Sequence, residues 1–248
     1  MTDLVVVERE GDVAVIVLNR PEARNAMNAA MAGQTVEAIA SCQDAGAIVL
    51  TGSDPAFCAG LDLRDLGVDR LLELPAFINA ASDSQVPLVA AVNGPAVTGG
   101  LELALACDFI VASEHARFAD THLRVGVYPG PVLVELPRRV GMAWAREMSM
   151  TGNFVDASTA LRIGLANHVV PHDELRSFAL GLAQAIAEQD RAMVRAMRHD
   201  WDATDRLPLP DAHRIHLDHA VNGGFSGMTG QDIAARRSAV VERAHRQP

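Results

Sequence analysis

The sequence has little positive charge and almost no cysteine. Its 248 residues carry 21 basic against 31 acidic side chains, a formal charge of −10 with a pI near 5.3, and there is no dense basic run. That balance excludes a nucleic-acid partner, and an anionic ligand would need a local basic patch. The three cysteines, Cys42, Cys58 and Cys107, are odd in number and far apart, with no Cys-x-x-Cys and no paired histidine motif. Neither a disulfide framework nor a metal site is indicated, and a reducing cytoplasm fits. The start, MTDLVVVEREGD, lacks the basic beginning and long apolar core of a signal peptide. No run of about 18 apolar residues is free of Pro, Gly or charge, so no membrane association is expected. Internal repeats and low-complexity segments are missing as well. A serine hydrolase would want Gly-x-Ser-x-Gly, and Gly224-Phe-Ser-Gly-Met228 fails at its last position. A dinucleotide enzyme would want Gly-x-Gly-x-x-Gly, which Gly94 to Gly100 does not supply.

What is present is apolar: 49% of residues are hydrophobic, enough to bury a sizeable core. The pattern predicts one α/β domain with appended helices. Leu4 to Glu8 and Val13 to Asn19 read as a hairpin around Glu10-Gly11-Asp12, and Asn28 caps a helix to Gln43 with Met31, Thr35, Ile39 and Cys42 on one face. Ala47 to Thr51, Leu88 to Val92 and Phe109 to Ala112 read as buried strands. Arg70 to Asp83 reads as a helix interrupted at Pro75. A short extended piece surrounds Phe118, and Asn167 to Val170 is a short strand. Short helices follow at Pro131 to Arg139, Met142 to Met150 and Ala157 to Ile163, and longer ones at Glu174 to Glu188 and Arg191 to Asp202. A further helix runs to about Val221, and a basic terminal helix passes through Arg236 and Arg237. A composition change near Pro171 divides a core, 1–171, from a helical region, 172–248, that either covers the site or a neighbouring subunit or is ordinary solvated packing. Trp144, Trp201 and Tyr128 are read as packing residues, with the lining of a pocket the alternative for Tyr128.

The stretch Leu88 to Asp108, LVAAVNGPAVTGGLELALACD, writes a strand, a glycine turn and a helix start in succession. At such a junction the first backbone N–H groups of the helix lack internal partners and favour negative charge. Between Asp83 and Glu114 only Glu102 and Asp108 carry formal charge, so Glu102 stands alone among Leu and Ala. Two readings are open: the carboxylate complements the helix dipole, or it is an acid–base group beside an oxyanion site. With Thr98 as N-cap, the capping-box position is Leu101 rather than Glu102. The loop Gly52 to Arg64 follows a strand, where α/β proteins keep their ligands.

Four pieces in order, NRPEARNAMN (Asn19 to Asn28), IVLTGSDPAFCAGLDL (Ile48 to Leu63), AVNGPAVTGGLELALACD (Ala91 to Asp108) and FADTHLRVGVYPG (Phe118 to Gly130), resemble the enoyl-CoA hydratase/isomerase family, the crotonase superfamily. The resemblance covers nearly the whole chain. It implies an α/β fold of β-β-α turns wound into a superhelix, with a C-terminal helical layer that mediates homotrimers or dimers of trimers. It implies an acyl thioester of coenzyme A as substrate, with no further cofactor. By position, the backbone N–H groups of Leu61 and Gly99 would grip the thioester oxygen as an enolate forms. Ala59, Asp62, Leu63 and Arg64 would hold pantetheine and adenine, and Arg24 and Arg64 the phosphates. Glu102 falls on one of the family's two acid–base glutamates. The second position is His122, the main departure. An imidazole can donate or accept a proton and orient a water; alternatively His122 packs under the loop, or Asp120 serves instead. Hydration of a trans-2-enoyl-CoA is the activity implied. Isomerisation, decarboxylation or non-catalytic acyl-CoA binding are the alternatives.

Overall fold

The computed structural model describes residues 3–62, 64, 76–223 and, singly, 230, 231, 234, 237 and 241. Leu63, residues 70–75 of the segment read as a helix from Arg70 to Asp83, and most of the basic terminal helix lie outside them.

A hairpin opens the fold, β1 (Val5–Glu10) antiparallel to β2 (Val13–Leu18), with Val5 opposite Leu18. Helix α1 (Ala29–Ser41) follows. Its N-cap, Asn28, accepts a 2.8 Å hydrogen bond from the Met31 N–H, which satisfies one of the helix's orphan donors. Met31, Thr35 and Ile39 are buried on one face, as their spacing predicts, and the Thr35 hydroxyl donates to the Met31 carbonyl at 2.8 Å. Strand β3 (Ala47–Gly52), helix α2 (Ala76–Ser82) and strand β4 (Leu88–Val92) come next. The chain then turns through β5 (Pro95–Val97) into α3 (Gly99–Leu105). It continues through β6 (Phe109–Ser113), β7 (Arg117–Ala119) and a single turn of 3-10 helix at His122–Val125. After α4 (Val132–Val140) and α5 (Met142–Thr151) come β8 (Val155–Asp156), α6 (Ala157–Arg162), β9 (His168–Val170) and α7 (Leu175–Ala187).

The main sheet has six strands in the order β1-β2-β3-β4-β6-β9, parallel except for the first pair. Alternate residues of β2, β3, β4 and β6 point to opposite sides, and both sides are covered. Ile16, Ile48, Leu50, Leu88, Ala90 and Ile110 join the larger core with residues of α1, α2 and α3. Val13, Val15, Val49, Val89 and Val111 pack instead against Leu175, Ala179 and Ala183 of α7. The unbroken apolar runs that read as buried strands follow from this double covering. A second sheet, β5-β7-β8, joins three short strands from distant parts of the chain. β5 lies where the sequence shows only a break at Asn93-Gly94-Pro95.

The first compact unit runs to Gln189, rather than ending near Pro171, because α7 closes one face of the sheet and belongs to the core. The second unit, from Asp190, contains α8 (Arg191–Thr204) and α9 (Leu209–Asn222). Asp200 of α8 pairs with His216 and His219 of α9. Neither helix buries a residue, and Trp201 is 63% exposed, contrary to the packing role expected of it.

Candidate active site

Two loops meet at the C-terminal ends of the central strands, backbone against backbone. After β3 the segment from Gly52 to Asp62 is held by two buried asparagines. Asn25 Nδ2 donates to the carbonyls of Ser53 (2.8 Å) and Ala56 (2.7 Å). Asn93 Nδ2 donates to Asp54 Oδ1 (2.9 Å) and the Ala56 carbonyl (3.3 Å). Asp54 also accepts from His172 Nε2 at 3.1 Å, tying the loop to the turn before α7. The Asp54 carboxyl is held below its ordinary value because hydrogen bonds from Asn93 and His172 outweigh the opposing effect of burial. The same loop pairs with β5: the Phe57 and Cys58 N–H groups donate to the Pro95 carbonyl, and the Val97 N–H to the Cys58 carbonyl. Burial pushes the Cys58 thiol up to about 12, so it stays protonated and unreactive.

Glycine permits this contact at two points. A Cβ on Gly60, whose φ is +89°, would lie 2.0 Å from Thr98 Oγ1, and one on Gly100 would lie 2.1 Å from the Cys58 carbonyl oxygen. Thr98 takes a φ of +47° and caps α3 without a side-chain hydrogen bond. A branched residue at that φ is strained, and its hydroxyl leaves the first amides of the helix uncovered. Gly99 is open on this side: a side-chain carbon there would lie 3.8 Å from the Leu61 nitrogen and 3.6 Å from the Phe77 ring of α2. Met27 brackets Leu61 by accepting the Asp62 N–H and donating to the Gly60 carbonyl, each at 2.8 Å. Among the described residues, neither the Leu61 nor the Gly99 N–H donates to any acceptor.

Glu102 lies one turn into α3 and is 6% exposed. Its Oε1 accepts the Val132 N–H at 3.1 Å, so the first turn of α4 is aimed at the carboxylate. A Cβ on Gly130 would come within 3.2 Å of the same oxygen. Burial raises the Glu102 pKa against the opposing pull of the Val132 N–H and the charge of His122. His122 opens the 3-10 turn after β7, with its side chain 12% exposed. Its Nδ1 lies 2.6 Å from Oδ1 of Asp120, which is fully buried. Burial alone would lower the imidazole pKa, but the Asp120 hydrogen bond and the charges of Glu102 and Asp120 outweigh it, and the net shift is upward. Asp120 is shifted down: burial opposes the anion, and hydrogen bonding to His122 with Ser149 nearby more than compensates.

Among the other expected site residues, Ala59 is half-buried and donates its N–H to the Arg24 carbonyl at 3.1 Å, while the Arg24 side chain is exposed. Asp62 is buried between Arg20 (2.8 Å) and Arg64 (2.6 Å), which hold its carboxyl well below the usual range. Tyr128 is 84% exposed, so the packing role read for it does not hold. Sequence reasoning passed over Asn25 and Asn93. The one signal was their position, Asn25 in a polar loop and Asn93 before glycine at a strand end, where a side-chain amide can satisfy turn carbonyls.

The fold and this arrangement define an α/β protein with open main-chain donors from two loops beside a buried acid and a histidine–aspartate pair. The sequence model of the enoyl-CoA hydratase/isomerase family matches residues 8–223, and the chain belongs to that family. It is 40% identical over 194 residues to a Rhizobium meliloti protein described as "Probable enoyl-CoA hydratase", covering 75% of this chain and 76% of that protein. It is 32% identical to the Arabidopsis thaliana protein "Probable enoyl-CoA hydratase 1, peroxisomal", over 99% of this chain and 96% of the other. A crystal structure of enoyl-CoA hydratase from Mycobacterium tuberculosis superposes with a TM-score of 0.75 at 40% identity, covering 91% of this chain and 100% of that one.

Proposed function

We propose that this protein adds water to a trans-2-enoyl thioester of coenzyme A. The observation that carries the reading is the approach of the Leu61 amide to Gly99, with Glu102 buried one turn further along the same helix. The thioester oxygen sits between the Leu61 and Gly99 N–H groups, which stabilise the enolate without reorganising. Glu102, as carboxylate, takes a proton from water while the water oxygen bonds to the β carbon. The α carbon then receives a proton from His122 as imidazolium, so the product gains one water and both groups are reset by proton exchange. The raised pKa values of both groups support these roles, since each is moved toward the working range of an acid–base catalyst. Ala59, Asp62, Leu63 and Arg64 border the pantetheine and adenine. Every basic residue outside the histidines is arginine, so Arg24 and Arg64 are the phosphate partners on this reading. Exposed Trp201, Leu209, Leu217 and Val221 on α8 and α9 support assembly into a homotrimer or a dimer of trimers. Three buried cysteines not joined by disulfides favour a reducing, cytoplasmic setting. The reaction draws only on amides, one carboxylate and one imidazole, and uses no cofactor beyond the substrate's own coenzyme A.

The test is loss of the conjugated enoyl-thioester absorbance over substrates of graded chain length, with the product identified. Glu102→Gln is expected to lower kcat by about 10²- to 10⁴-fold while acyl-CoA binding persists. No hydration at any chain length would sink the assignment. A second reading rests on the histidine where the family has a glutamate: the chain binds acyl-CoA without turning it over, or runs an isomerisation or decarboxylation. A rise in melting temperature with acyl-CoA and no spectral change would favour binding alone.

A further inference from the structure

Asp120 is a buried anion with an unusual pattern of partners. Its Oδ1 lies 2.6 Å from His122 Nδ1 and 3.3 Å from the His122 backbone nitrogen, while its Oδ2 is buried and, among the described residues, makes no hydrogen bond of good geometry, Ser149 being the polar side chain nearby. Burying a carboxylate with one oxygen this poorly satisfied costs stability, so the group stands where packing alone would favour an apolar residue. A carboxylate only accepts, so the proton between the pair belongs to Nδ1. The other ring nitrogen, Nε2, has no hydrogen-bond partner among the described residues.

Resting on His122 as the second acid–base group, we infer that Asp120 is a positioning residue that acts through it. By holding the Nδ1 proton, Asp120 makes Nε2 the nitrogen presented to the substrate. A glutamate at this position would need no such partner, because its two oxygens are chemically equivalent. An imidazole has two unlike nitrogens, and its neutral form exists as two tautomers. With Nδ1–H fixed, the cation offers Nε2–H as an acid and the neutral ring offers the Nε2 lone pair as a base, so one atom serves both halves of the cycle. The titratable groups acting on the ring are Asp120, at the end of β7, and Glu102, on α3. From α5, the polar group next to the pair is Ser149, which favours the Asp120 anion.

The experiment is a double-mutant cycle on the full chain, with Asp120→Asn, His122→Gln and the double variant, assayed for enoyl-CoA hydration across pH. An asparagine can donate to Nδ1 and favour the wrong tautomer. Asp120→Asn is therefore expected to lower kcat by about 10²- to 10⁴-fold with KM little changed, and to move the alkaline limb of the profile to lower pH. In the His122→Gln background the same change should have no further effect. An equal loss in both backgrounds overturns the inference, because Asp120 would then be acting through the fold. A His122→Gln variant as fast as the parent overturns the role given to His122 itself, a separable failure. Nitrogen-15 NMR of the His122 ring in the unaltered protein gives a readout independent of whether the variants fold or turn over. The neutral ring should carry its proton on Nδ1, and a proton on Nε2 overturns the proposal.

Discussion

Asp62 sits 7% exposed between two guanidinium groups, and its surroundings decide what its loss would do. Arg64 is largely in water and loses little, but the Arg20 side chain is only 12% exposed and would keep a charge without its closest partner. Asp62→Asn is expected to cost about 2 kcal/mol, between the worth of an exposed pair and the cost of stranding a buried charge. The Asp62 carboxyl is depressed in the folded chain, so its stabilisation is present above the ordinary value of 3.8 and is lost as pH falls further. The gap between parent and variant in urea unfolding should therefore be wide near neutrality and close on acidification; a gap independent of pH would contradict this. At this scale the sequence was informative for charge and uninformative for burial. Glu102 was legible because it is alone in an apolar run. Asn25 and Asn93 were not, since a polar residue in a loop looks solvated until its partners, distant in sequence, are in place; Asp120 was read only as a substitute for His122, and its hydrogen bond to that ring was not foreseen. Tyr128 shows the converse, an aromatic that reads as core and stands in the open.

Among the elements, the junction of β5 and α3 with the loop after β3 is the least tolerant of change. Gly100→Ala places a methyl 2.1 Å from the Cys58 carbonyl, where the obstacle is backbone and cannot rotate away. The two loops must separate, which should cost several kcal/mol, on the order of an overpacked core, and lower kcat for hydration more than binding of acyl-CoA. A variant with parental stability and turnover would show that the loops are not locked. Strands of the main sheet and helix α1 were readable because their periodicity is local and Asn28 marks a cap. β5 and β8 were not. They contain three and two residues, and their partner is β7, contributed by a different part of the chain. No short-range pattern encodes such a pairing.

For the molecule as a whole, the shifted groups set how stability responds to acid. Asp54, Asp62, Asp120 and Asp200 all have depressed pKa values when folded. Each favours the folded chain above the unfolded value of 3.8 and stops doing so as pH falls below it. Glu102 and His122 have raised values and run the other way. His122 favours folding fully below 6.5, and that contribution fades as pH rises through its folded value. Thermal midpoints should drop steeply below about pH 4 and decline gently on the alkaline side of neutrality, as calorimetry across buffers would record; a midpoint rising in acid would contradict the assignments. The placement of α7 in the core was hidden at this scale too, because a helix covering a sheet and one extending beyond it share the same amphipathic pattern. The amides of Leu61 and Gly99 carry a wider consequence. On the reading proposed, recognition of the carbonyl is specified by how many residues separate one turn from the next, not by what those residues are. An alanine scan would pass over Leu61 in silence, whereas a single inserted residue ahead of it would misalign the pair. In such a scaffold, insertions and deletions are the severe mutations and point substitutions the mild ones.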